Sequence, residues 1–167
     1  MEVREADTAW ELEQVRRLFR AFVSWHRERH TGDLDLIDAY FDEGAWQAEL
    51  DGLPGAYAPP DGALLVCWEA ELAIGCVAFR RLDAESCEMK RMFVVPMARG
   101  RGAGRALAEA VVAQARAAGY RSMYLDTSVR QAEAIALYRD LGFVEVEAFH
   151  DVPDEMADWL VFFRLDL

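Results

Sequence analysis

The sequence predicts an α/β domain, with elements in the order strand, helix, helix, three strands, helix, strand, helix and two strands. Three observations carry that prediction. Apolar residues alternate in short runs and recur every three to four residues in longer ones, so strands and helices interleave. A strand at about 86–95 passes through a glycine-rich turn directly into a helix and is followed by another strand at 122–126, a unit expected to be parallel and right-handed. At 167 residues, with 53% apolar and 29% charged side chains, the chain is long enough for one ordinary core and short for two.

Each element follows from local signals. Residues 2–6 alternate like a short strand. Thr8 with Glu11 three residues later forms a capping box ahead of Leu12, Val15, Leu18, Phe19, Phe22 and Val23, which predicts a helix to about Arg29. Leu36, Ile37, Tyr40, Phe41 and Trp46 keep a helical period over 34–50, and the glycines and prolines of 51–62 predict a loop. Runs at 63–68 and 72–80 around Glu69-Ala70-Glu71 read as a hairpin. A helix over 102–118 stops at Gly119 and another over 131–141 stops at Gly142. Strands at 143–149 and 159–165 complete the order.

Composition narrows the function. The net charge of −12 argues against nucleic acid or an anionic membrane as a general partner. No apolar run is long enough to span a bilayer, and the acidic opening is unlike a secretory leader, so a cytoplasmic location is expected. Cys67, Cys76 and Cys87 have neither metal-site nor disulfide-framework spacing and read as reduced structural residues. His26 and His30 lie one helical turn apart without an evident third ligand, so no metal is expected. Within residues 90–108 lie Lys90, Arg91, Arg99, Arg101 and Arg105 and no acid. Residues 31–79 hold ten acids and no Lys or Arg, a surface suited to a cation or merely to solubility.

The basic patch coincides with the strongest motif. Strand residues Met92, Phe93 and Val94 lead through Val95 and Pro96 to Arg99-Gly100-Arg101-Gly102-Ala103-Gly104-Arg105 at the start of a helix. Alternate glycines let backbone approach a bulky ligand, and free amides at a helix N-terminus favour phosphate oxygens. Arg105 stands where a dinucleotide fingerprint needs glycine, and the Gly-Lys-Ser/Thr of a Walker loop is absent. A turn that only packs strand against helix is the alternative.

Arg99-x-x-Gly102-x-Gly104, followed by Leu125-Asp126-Thr127 and by Ala134-Ile135-Ala136-Leu137-Tyr138-Arg139-Asp140-Leu141-Gly142-Phe143, resembles the GNAT superfamily of acyl-CoA-dependent N-acetyltransferases. That family's loop reads Arg/Gln-x-x-Gly-x-Gly/Ala and its later segment A-x-x-L-Y-x-x-x-G-F; the motifs span about 86–145. The resemblance implies one domain over 1–167, with a mixed, mainly antiparallel sheet splayed between its fourth and fifth strands and flanked by helices. Acyl-CoA lies in the wedge of that fold. Backbone groups of Met92, Phe93 and Val94 would pair with pantetheine, and amides of Gly100, Arg101, Gly102, Ala103, Gly104 and Arg105 would hold the pyrophosphate. The side chains of Arg99, Arg101 and Arg105 would offset its charge or be solvated helix-end arginines. Gln131 occupies a place where many members have a cofactor-binding Asn.

The same resemblance supplies catalytic candidates. Tyr138 matches the family's general acid, suited to a departing thiolate because a phenol can hydrogen-bond or protonate it; otherwise it is a core aromatic. For the base, Glu88 corresponds to the glutamate of the histone-acetyltransferase branch and Asp126 to an acid of the ribosomal-protein branch. An ion pair for Glu88 and a loop contact for Asp126 are the alternatives. The implied reaction moves acetyl from acetyl-CoA to a primary amine by direct attack in a ternary complex, with no metal and no covalent enzyme intermediate. A small cationic acceptor is expected from the acids of 31–79 and 140–167, with Trp25, Tyr40, Trp46 and Tyr57 on the acceptor side or in the core. A protein or peptide amine and a non-catalytic acyl-CoA-binding module are the alternatives. Neither nucleic acid nor membrane is an expected partner, and a homodimer is left open.

Overall fold

A computed structural model describes residues 1–167. The strands are β1 (Glu2–Glu5), β2 (Ala63–Glu69), β3 (Leu72–Arg81), β4 (Ser86–Val94), β5 (Ser122–Ser128), β6 (Val144–Val146) and β7 (Leu160–Asp166). The helices are α1 (Ala9–Arg29), α2 (Leu34–Tyr40), α3 (Glu43–Gly52), α4 (Ala103–Ala117) and α5 (Ala132–Asp140). The sheet runs β1-β2-β3-β4-β5-β7-β6, and only β4 and β5 pair in parallel.

Helices cover both faces of the sheet, which is why β2 is buried almost throughout. Leu64, Val66 and Trp68 pack in a cluster with Val15, Leu18 and Phe19 of α1. Ala63, Leu65 and Cys67, alternating with them, pack with Leu107, Val111 and Ala115 of α4. Thr8 caps α1 through the expected reciprocal box with Glu11. At Gly75 of β3 a Cβ would meet the Phe93 carbonyl oxygen at 2.7 Å and Leu107 Cδ1 at 2.9 Å, so glycine lets β4 and α4 close on β3. All three cysteines are free and buried, and no helix is long and apolar enough to cross a membrane.

The structure corrects three local expectations. The helix foreseen over 34–50 is two, because Asp42 starts a new one by accepting the Ala45 amide at 3.0 Å. The foreseen loop at 51–62 contains the end of α3 and a 3₁₀ turn, Gly55–Tyr57, that buries Tyr57. The strand foreseen at 143–149 keeps only Val144–Val146, as Phe149 turns away to pack against Tyr124 and Phe162 at ring separations of 5.1 and 5.5 Å.

The sheet opens where β4 and β5 part. They pair from Ser86↔Ser122 to Glu88↔Tyr124 and no further. Beyond that point β4 stays with β3 to Val94↔Gly75, and β5 stays with β7 to Ser128↔Leu160. A bulge lies just past the parting: Ala78 faces Lys90 and Cys76 faces Phe93, so β4 carries one residue more than β3, and Arg91 takes φ +59°. Bulges bend and twist the strand that holds them, and this one turns β4 away from its neighbour.

Candidate active site

The wedge is a cavity of about 490 Å³. Met92, Phe93 and Val94 line one wall and Leu125, Asp126, Thr127 and Ser128 the other, with Tyr138 of α5 and residues of α1 and α2 closing it. Past Glu88 the edge of β4 that faces β5 has no strand partner.

At the mouth, β4 runs through Pro96–Ala98 into the turn before α4. Gly100 at φ +72° and Gly102 at φ +88° occupy the left-handed region that glycine enters without strain. No amide from Gly100 to Arg105 donates to a backbone acceptor, and the first that does is Ala106, to Gly102. These six amides and the positive end of α4 form an anion cradle. The cationic side chains there are engaged. Arg101 pairs with Glu69, and Arg105 pairs with Asp140 and, at 3.6 Å, with Glu109. Arg99 donates to the Val94 carbonyl at 2.9 Å and lays its guanidinium 4.0 Å over the Trp25 ring. Gln131 lines the cavity, but its side chain contacts His26 Nε2 at 2.5 Å. His26 is buried; burial and nearby His30 push its pKa down to about 4, so it is neutral.

Tyr138 belongs to both readings of it. Its ring packs against Phe143 and Phe163 in the core, yet the residue also lines the cavity, and its hydroxyl has no hydrogen-bond partner within the chain. Burial, reinforced by Tyr40 and Asp126, raises its pKa, so the phenol keeps its proton.

The inner end holds a network. Asp126 Oδ1 accepts from the Tyr40 hydroxyl at 2.6 Å, and Oδ2 lies 2.7 Å from His150 Nε2. Lys90 Nζ sits 3.6 Å from Asp126, 3.2 Å from Glu88 Oε1 and 3.1 Å from the Tyr40 oxygen. Burial pushes the Asp126 carboxyl up, but the hydrogen bond from His150, the Lys90 charge and the Tyr40 hydroxyl outweigh it and hold the group well below the usual carboxylate range. The hydrogen bond to Asp126 raises the His150 pKa, and Nδ1 faces the Asp151 carbonyl at 2.8 Å, so an acceptor stands at each nitrogen and the site favours the protonated ring. Glu88 is buried outside the cavity wall, held by Arg80 at 2.8 Å and by Lys90. Of the two carboxylates singled out from sequence, Asp126 faces the cavity and Glu88 reaches it through Lys90. Donor atoms of Glu88, Asp126 and His150 lie within 4.8 Å of one another, but Lys90 already supplies the positive charge between the carboxylates, so the trio reads as an ion-pair network.

None of the ten acids of 31–79 lines the cavity, and no acid of 140–167 does. They are used elsewhere: Asp33 binds Arg130 and the Trp159 indole, Asp38 binds Arg27, and Glu49 grips Arg91 at 2.6 and 2.8 Å. Sequence reasoning missed Lys90 and His150 as members of the site. For Lys90 there was a signal, since it is the chain's single lysine among 18 basic residues.

Comparison with known proteins agrees with this geometry. The acetyltransferase (GNAT) family profile matches residues 12–143. An IAA acetyltransferase of Azospirillum brasilense is 46% identical over 103 residues, which are 60% of this chain and 67% of that protein. An acetyltransferase from Streptococcus agalactiae has the same fold, with a TM-score of 0.75 at 21% identity over 99% of this chain and 98% of that one. So has an acetyltransferase from Salmonella typhimurium solved with its cofactor acetyl-CoA, at a TM-score of 0.65 and 22% identity over 99% and 92% of the two chains.

Proposed function

This chain belongs to the GNAT family of acetyltransferases, and from that premise we propose that it transfers acetyl from acetyl-CoA to a primary amine on a small molecule, by direct attack in a ternary complex. The observation that carries the reading is the wedge itself, with six unpaired amides at its mouth and the unpartnered Tyr138 hydroxyl within. The amides of Gly100 to Arg105 take the pyrophosphate, and Arg101 and Arg105 exchange their carboxylate partners for it in part. The free edge of β4 at Met92, Phe93 and Val94 pairs with the pantetheine arm, which brings the thioester to the inner end. A cavity of about 490 Å³ leaves room beside that arm for a compact acceptor rather than a protein chain.

An amine attacks only after losing a proton, and Asp126 with His150 forms the pair that draws it off. The carboxylate attracts the incoming ammonium. His150, once neutral, receives the proton through it. Glu88 serves by holding Lys90 in place. As the tetrahedral intermediate collapses, the carbon–sulfur bond breaks and CoA leaves as the thiolate, a good leaving group at a thiol pKa of about 8.5; the Tyr138 O–H donates a hydrogen bond to it and keeps its own proton. Gln131 supports the cofactor wall through His26.

Thermal unfolding with acetyl-CoA, followed by free-thiol release on adding amines, tests this reading. Acetyl-CoA at about a hundred times its Kd adds about 2.7 kcal/mol, a rise of about 5–10 °C for a chain of this size. No rise on folded protein would reduce the glycine loop to a packing turn. A rise without thiol release on any amine would leave only a binding module.

A further inference from the structure

We propose that the acceptor is a monoamine carried on a flat apolar body, an arylalkylamine in class, and that polyamines and aminoglycosides are excluded. The inference rests on the acetyltransferase reading above and concerns which amine its cavity admits.

Two features of the inner end lead to it. The first is charge. Lys90 and Arg91 both line the cavity as buried cations. Burial opposes their charge, but neighbouring Tyr40, Asp126 and Glu88 for Lys90, and Glu49 for Arg91, hold both protonated. The only carboxylate lining this end is Asp126, which already bonds the Tyr40 hydroxyl and His150 Nε2 and pairs with Lys90 at 3.6 Å. A carboxylate offers about four acceptor sites, so Asp126, with two taken and Lys90 beside it, keeps acceptor capacity for an incoming ammonium. One ammonium can be held there. A second would lie beside two buried cations whose carboxylates, Glu88 and Glu49, are already paired with them, and would find no carboxylate of its own at this end.

The second feature is shape. Phe22, Tyr40, Phe41 and Trp159 line this end together with Leu160. Phe41 meets Phe22 and Tyr40 edge-on at 5.7 and 4.9 Å, and Tyr40 meets Trp159 at 6.0 Å, so the rings form a continuous wall. Lys90 Nζ lies 5.4 Å from the Tyr40 ring centroid, off its hydroxyl edge, and the Arg91 guanidinium 5.4 Å from the Phe41 centroid, so cations flank these two rings. Trp159 is pinned through its indole N–H to Asp33 at 3.2 Å. Such a wall offers a substrate apolar area and edge-to-face contact, while the polar groups beside it, Asp126, Lys90 and the Tyr40 hydroxyl, already engage one another. It rejects a polyhydroxylated aminoglycoside, whose hydroxyls would be left unpaired.

The test compares kcat/KM for 2-phenylethylamine, n-propylamine, spermidine and an aminoglycoside, by thiol release from acetyl-CoA, in the wild type and in Phe22→Ala. A phenyl ring buried against the wall is expected to raise kcat/KM at least about 30-fold over n-propylamine. Spermidine and the aminoglycoside are expected below n-propylamine. Phe22 is only part-buried, and the ratio of two amines in one preparation does not depend on how much of it is folded. In Phe22→Ala the phenylethylamine to propylamine ratio is expected to fall at least about fivefold. Preference for spermidine or the aminoglycoside, or an unchanged ratio in the variant, overturns the proposal while leaving the enzyme an acetyltransferase. Transfer to no amine overturns both.

Discussion

The two ends of the wedge are built on different principles. The mouth is made of consecutive backbone: six amides from Gly100 to Arg105, set by two glycines at positive φ and the start of α4. The inner end is made of side chains from α2, β4, β5 and the segment before β7, with Tyr40 and Asp126 86 residues apart and His150 24 beyond Asp126. A backbone cradle tolerates many side chains and asks only for glycine where the chain turns left-handed. A side-chain network is sensitive to each member, because every buried charge depends on the others. Changes at the inner end should therefore act on turnover and stability together, and changes at the mouth on cofactor affinity alone.

Asp126→Asn should show the largest effect. It removes the one carboxylate on the inner cavity wall and leaves Lys90 and His150 as buried or half-buried cations with less to oppose them. Turnover is expected to drop about 10²- to 10³-fold, with a stability loss of about 3 kcal/mol from the broken buried pair. Acetyl-CoA affinity of the folded fraction, measured by calorimetry, should stay within about threefold. Equal loss of cofactor affinity and turnover would show that the two ends are not separable.

Tyr138→Phe should separate chemistry from packing. The Tyr138 hydroxyl has no partner within the chain, so its removal leaves no buried group unsatisfied and Tm should hold within about 2 °C. Turnover should fall about 10- to 100-fold with acetyl-CoA binding unchanged. Unchanged turnover would make Tyr138 a core aromatic only.

That contrast also explains what could be read from the chain alone. The mouth was legible because its determinants are contiguous: glycine spacing, the strand before and the helix after state the geometry within fourteen residues. The order of elements along the chain, α1 with its capping box and the parallel β4–β5 pair followed from local signals in the same way. The inner end was not legible. Glu88 and Asp126 are adjacent in register to the parting of β4 and β5, and which of them faces the cavity depends on where pairing stops and the bulge at Arg91 begins. No local pattern states that. The acids of 31–79 misled for the same reason, since their arginine partners lie elsewhere in the chain.

Gly104→Ala sharpens the comparison from the mouth. Gly104 sits in the first turn of α4 at ordinary helical φ, and an added Cβ would meet Leu137 Cδ2 at 3.6 Å, Met92 Cε at 3.8 Å and Val94 Cγ2 at 3.9 Å, all ordinary contacts. The fold therefore does not require glycine here, and alanine should leave Tm unchanged or raise it by about 2 °C through its better helix propensity. If the glycine admits the pyrophosphate, acetyl-CoA Kd should weaken about tenfold or more, since one methyl in a close backbone contact costs on the order of 1 to 3 kcal/mol. Unaltered affinity would place the phosphates elsewhere.

The smallest effect tests whether His150 is tied to Asp126 as drawn. Because its folded pKa is raised above the unfolded value of about 6.5, the protonated ring adds stability below that pH, and the contribution is lost as pH rises through the folded pKa. The low Asp126 pKa puts that carboxylate's own loss far to the acid side, so it does not disturb this window. His150→Gln lacks the contribution at every pH. The Tm difference between wild type and variant should thus be largest near pH 6 and shrink towards pH 9. Its size should be only about 1 or 2 °C, because His150 is more than a third exposed and the pair is partly screened. The same proton governs turnover: wild-type kcat/KM should rise with pH along a limb set above 6.5, and that limb should vanish in His150→Gln. A Tm difference flat from pH 6 to 9, together with an unaltered limb, would detach His150 from the catalytic pair and leave Asp126 to pass the proton directly to water.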